Sequence, residues 1–184
     1  MSPKKRRPAR VHQLRASEQA SLLERLAMRE DVVGEVVREE IERLVANVDP
    51  EEVAGDVQAV LELLDVDAIM DRAGEDRYGY TGPQEAAWEA LEDALAPYRE
   101  RLNWYHTAGR PELYDAYALG VLRGLYDFHH ESDAEWTALA PDDAGEAFAW
   151  VLDEWKRRRR GTAERQAMRD QLAEHCPGWE QGLG

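Results

Sequence analysis

The chain is poor in everything that would staple, anchor or activate it. It has one cysteine, Cys176, in 184 residues, so neither an intramolecular disulfide nor an all-cysteine zinc site can form. No apolar run approaches the roughly 20 residues that cross a bilayer as a helix. Lys4-Lys5-Arg6-Arg7 is followed by polar sequence rather than by the apolar stretch of a signal peptide. The Gly-x-Ser-x-Gly elbow, the P-loop, the dinucleotide fingerprint and the His-Glu-x-x-His zinc motif are all missing. So is the Glu-x-x-His pair of a carboxylate di-iron bundle. No cofactor is implied. These deficits point to a soluble cytoplasmic protein with no membrane partner.

Aromatic residues are missing from positions 1–77 altogether, and fourteen of the fifteen fall within 78–155. Three lysines stand against twenty arginines, a bias that weakens any reading of arginine abundance as function. Apolar residues make up 43% of the chain, enough for a core, and charged residues 33% with a net charge of −15. That charge is unevenly placed. Residues 1–15 carry six bases and no acid, and residues 156–169 seven bases and one acid, while the remaining 155 residues sum to −27. Such a body repels nucleic acid and anionic lipid over most of its surface.

Helical signals are dense. Ser17 is placed to cap a helix through about Arg29, and Asp31 the next, along which Val33, Val37, Ile41, Leu44, Val45 and Val48 keep the 3.6-residue period. Asp49-Pro50-Glu51-Glu52 supplies a side-chain acceptor, a proline where no N–H is needed, and acids at the positive helix end. Asp65 is placed to cap a short turn carrying Ile69. Gly74 to Pro83 holds three glycines and reads as an irregular loop. Beyond it, Trp88, Leu91, Leu95, Tyr98, Leu102 and Tyr105 form a 3-4-3-4-3 seam. Pro97 predicts a kink in it, or two abutting helices. Residues 111–129 are apolar on most sides, as in the central helix of a bundle. Within them Ala116, Gly120 and Gly124 make a small-residue stripe open to a neighbouring backbone. Ser132 is placed to cap a short helix, Pro141-Asp142-Asp143 restarts the chain, and Thr162 is placed to cap the last helix.

The expected fold class is all-α: about eight short-linked antiparallel helices, arranged like an α-solenoid or as an irregular bundle. The expected organisation is a disordered basic tail (1–15), one all-α domain (16–175) and a C-terminal tail (176–184). The domain divides into an aliphatic lobe (16–73), a Gly/Tyr loop (74–83) and an aromatic-rich lobe (84–175).

The stretch from Trp88 through Gly109 to Ala118 resembles a helix-turn-helix unit of the tetratricopeptide and HEAT-like scaffolds. Trp88 and Leu91 meet the tetratricopeptide pattern, while Glu92 stands where its glycine belongs. The overall texture is also similar to the helical region that accompanies SWIM-type zinc fingers, without the Cys/His finger. Both resemblances imply a partner-binding scaffold and transfer no functional residue.

Four aromatics outside the regular stripes, Tyr78, Tyr80, Trp104 and Trp150, are candidate anchors for a protein partner or a second copy, because aromatics dominate interface energetics. A non-enzymatic scaffold or adaptor is therefore the leading reading. The alternative is a nucleic-acid-associated factor working through Lys4, Lys5, Arg6 and Arg7 together with Lys156, Arg157, Arg158, Arg159 and Arg160. No aromatics interleave at base-stacking intervals, and the second cluster also suits a helix C-terminus or the protein's own acids. A third reading is a metal-dependent enzyme around His129 and His130. Neighbours on a helix point about 100° apart, however, and histidine suits the negative helix end. His175-Cys176 lacks an orienting third group for nucleophilic catalysis.

Overall fold

A computed structural model describes residues 16–76 and 79–183. Among them eight α-helices dominate, so the fold is all-α: α1 (Ala16–Ala27), α2 (Val32–Val45), α3 (Pro50–Glu62), α4 (Val66–Arg72), α5 (Pro83–Thr107), α6 (Pro111–Glu131), α7 (Asp143–Arg158) and α8 (Thr162–His175). No helix among the described residues is long and apolar enough to cross a membrane. The chain divides into two compact units, Met1–Asn47 and Val48–Gly184. The basic tail 1–15 lies outside the described residues.

In the first unit α1 and α2 pack as a hairpin. Asp31 caps α2 by accepting from the Gly34 amide at 3.2 Å, and it pairs with Arg29. Arg38 reaches back to the carbonyls of Ala27 (2.6 Å) and Arg29 (3.0 Å), closing the end of α1. A Cβ on Gly34 would fall 2.0 Å from the Arg29 carbonyl oxygen, so only glycine fits there. Ser17 lies within α1 rather than ahead of it.

The second unit is built around α6. Asp49 and Asp65 cap α3 and α4, each accepting at 2.9 Å from the amide two residues on. Helix α5 passes through Pro97 without a break, so the two abutting helices are not found. His106 and Tyr105 meet Tyr114 and Tyr117, which makes α5 and α6 an antiparallel pair. Helix α7 also runs antiparallel to α6, since Trp155 and Arg159 meet Asp115 near the start of α6. Helix α3 runs parallel to α6: Pro50 and Val53 lie at Gly120, and Ala54 and Val57 at Gly124. The small-residue stripe is where they meet. A Cβ on Gly124 would come within 2.6 Å of the Ala54 carbonyl oxygen, and one on Gly120 within 2.7 Å of Val53 Cβ.

Four local expectations need correction. The Gly/Tyr loop holds a two-stranded antiparallel hairpin, β1 (Gly74–Asp76) with β2 (Gly79–Thr81), with Glu75 opposite Tyr80. Gly74 and Gly79 sit at φ 134° and 148°, a region closed to most side chains, and that lets so short a ladder form. The segment after Ser132 is a 3-10 turn, Glu135–Ala138, whose Trp136 is buried and donates to the Leu61 carbonyl at 2.9 Å. Ser132 Oγ accepts from the Ala134 amide just before that turn. Thr162 is the first residue of α8, preceded by Gly161, and makes no side-chain cap. After α8 the chain does not leave the unit: Cys176 is fully buried and Trp179 packs edge-on against Phe148 at 4.7 Å.

Candidate functional site

The four candidate anchors do not converge. Tyr80 is 71% exposed on β2, just before α5, and Trp104 is 41% exposed near the end of α5. More than twenty helical residues at 1.5 Å each, roughly 30 Å, separate them. Trp150 is half-buried on α7, covered by the Arg99 guanidinium 4.0 Å above its ring. Tyr78 lies outside the described residues. The exposed aromatics therefore occur singly along the second unit.

The larger exposed apolar surface was not singled out from sequence. Leu23 and Met28 on and just after α1, with Val32, Val33, Val36 and Ile41 on α2, are all exposed. Among the residues of the first unit whose burial is described, only Gly34 is buried. The helical period along α2 does not mark a covered face: Val33 and Ile41 stand open, with Val37 only half-buried. Of the hairpin's large apolar side chains whose burial is described, none is fully buried, and the half-buried Leu22, Leu26 and Val37 give it little hydrophobic stabilisation of its own.

The second unit has a groove of its own, about 520 Å³, between α6, α7, α8 and the start of α3. Ala116, Leu119, Trp155, Ala167 and Met168 give it apolar walls. Asp115 stands at its side, where it accepts from Trp155 Nε1 and from Arg159, each at 2.8 Å.

The basic cluster at the end of α7 is largely engaged by the protein itself. Lys156 pairs with Asp153 at 2.6 Å and donates to the Gly182 carbonyl, Arg158 pairs with Glu154, and Arg159 with Asp115. Arg157 Nε donates to the Asp153 carbonyl and Arg160 Nε to that of Arg157. Arg165 donates to the carbonyls of Arg159 and Lys156, satisfying the end of α7. Lys4, Lys5, Arg6 and Arg7 lie outside the described residues.

His129 and His130 end α6 in an aromatic cluster. His130 stacks on Tyr126 at 4.1 Å, its Nδ1 lies 2.9 Å from the Tyr126 carbonyl oxygen, and both imidazoles lie within 5.4 Å of the Trp179 ring. Partial burial lowers the His129 pKa, and His130 lowers it further against the opposing pull of Asp142. Among the described residues no three His, Cys, Asp or Glu side chains come together as a metal ion would need. Cys176 is far from an activated thiol, since burial, with Asp127 adding to it, pushes its pKa up to about 12.

One buried group has no signal in the sequence pattern. Asp143, the first residue of α7, is 2% exposed, and its Oδ2 has no hydrogen-bond partner. Burial, reinforced by Glu146 and Asp142, pushes its carboxyl up to about 6.

Compared with known protein families, curated proteins and solved structures, the chain matches none.

Proposed function

We propose that the protein is a non-enzymatic helical scaffold that binds another protein or a second copy of itself, and that the α1/α2 hairpin carries the contact. The observation behind this reading is the row of exposed apolar side chains on the hairpin, with Val32 at 73%, Val33 at 46% and Val36 at 50% exposure. Units this short gain stability from disulfides, metals or association. The first is closed to a chain with one cysteine. The described residues hold no cluster for the second, and the exposed apolar row favours association. A fully exposed side chain of this kind contributes about 1.5–3 kcal/mol when buried, and a half-exposed one about half of that, so a contact covering several of them is substantial.

Cross-linking in the native host, followed by purification of the tagged chain, tests this. The wild type should carry a cross-linked protein, or its own copy, that Val33→Asp with Val36→Asp removes. Identical cross-linked species from wild type and double variant would refute it. The nucleic-acid reading is less favoured because the cations of 156–160 already hold internal acids and carbonyls. DNA or RNA retention that falls steeply with salt would restore it.

A further inference from the structure

Asp143 is the one buried charged side chain among the described residues, and nothing proposed for the hairpin uses it. It lines a recess of about 460 Å³ together with Gly82, Gln84, Glu85 and Trp88 from the start of α5 and Glu146 from the first turn of α7. Carboxylates hidden from water are ordinarily paired or hydrogen-bonded, and here one oxygen is neither.

The helix ends do not account for it. The positive ends of α5 and α7 supply about half a charge each. Against them stand Glu85, Asp143 and Glu146 in the recess, with Asp142 adjacent in the chain. No cation lines the recess among the described residues. The surplus is negative and calls for a positive ligand. A bare metal ion does not suit it, because no three ligating side chains come together. A larger cation does: Trp88, half-buried in the wall, offers an aromatic surface. Tyr80 stands close by, its Cε1 4.0 Å from where a Cβ on Gly82 would lie.

We propose that the recess between the first turns of α5 and α7 is a binding site for an ammonium or guanidinium group, with Asp143 as its ionic partner and Trp88 as its wall. The chemistry is shared by a lysine or arginine side chain of another protein and by a free organic amine. Glu146 and Asp142 act on Asp143, Glu85 shares its recess, and all three carboxylates reinforce attraction at neutral pH, while His129 faces Asp142. Since the Asp143 carboxyl titrates near 6, binding should weaken as pH falls towards 5.

The test is calorimetry on the full chain at pH 7.5 and low salt. Capped Gly-Arg-Gly and Gly-Lys-Gly peptides stand for a protein side chain, and spermidine for a free amine. At least one probe should saturate, with affinity falling tenfold or more in Asp143→Asn and in Trp88→Leu. Glu35→Gln with Glu39→Gln, which removes two charges from α2, should leave it unchanged. If Trp88→Leu does not fold, Glu146→Gln replaces it with an expected loss of threefold or more. A peptide binding more tightly than spermidine assigns the cation to a protein partner, and the reverse order assigns it to a small amine. No saturation by any probe up to 20 mM, or wild-type affinity in Asp143→Asn, overturns the site. Either result leaves the α1/α2 proposal standing, since that rests on a different surface.

Discussion

Asp143 carries the clearest residue-scale consequence. Its carboxyl titrates at about 6 in the folded chain against an ordinary 3.8. A raised carboxyl pKa favours folding fully below the ordinary value and loses that favour as pH rises through about 6. At pH 7.5 the buried charge therefore costs on the order of 3 kcal/mol, and Asp143→Asn should raise the melting temperature by several degrees there. At pH 4 the two proteins should melt almost together. A lower melting temperature for Asp143→Asn at pH 7.5 would mean that the carboxylate has a partner. Asp115 is the opposite case, accepting from Trp155 Nε1 and Arg159 at once. Asp115→Ala strands both donors, with an expected loss of about 2–3 kcal/mol in urea unfolding. Neither role was legible in sequence. Asp142-Asp143 reads as a helix start, and adjacent helical residues point about 100° apart, so chain order could not say that Asp143 turns inward while Asp142 stays exposed. Cys176 shows the same blindness: it fell in an expected tail, yet burial should keep it unreactive towards a thiol reagent until denaturant is added.

At the scale of elements, the periodicity carried most of the fold. Asp31, Asp49 and Asp65 cap the helices they were expected to cap, because a cap is decided by three or four neighbouring residues. The apolar helix 111–129 is the one that α3, α5, α7 and α8 all touch. Its small stripe announced a close neighbour without naming it. That neighbour is α3, which is distant in sequence and parallel in direction, and local pattern carries neither fact. Gly124→Ala should cost about 1–3 kcal/mol in chemical denaturation, since the added methyl meets the Ala54 backbone rather than a side chain that can turn away. Better helix propensity returns at most about 1 kcal/mol. A stabilised Gly124→Ala would mean that α3 and α6 are further apart. The β1/β2 hairpin leaves no mark in the sequence pattern because three-residue strands are too short for alternation to show.

For the whole molecule, the division falls between Asn47 and Val48, where composition changes little, rather than at the Gly/Tyr loop, where aromatics begin. The second unit holds the aromatic core and the first holds exposed aliphatic side chains. Helical phase revealed the valine stripe of α2 and could not reveal what it faces, since a stripe looks the same whether its cover is intramolecular or another chain. The most direct measurement is fluorescence-detected sedimentation velocity of the labelled full chain in host extract, with Val33→Asp/Val36→Asp beside it. Wild type sedimenting faster than a 21.0 kDa monomer, and the double variant returning to the monomer rate, is the expected result. A wild-type chain that sediments as a monomer at every concentration would contradict a binding face on the hairpin.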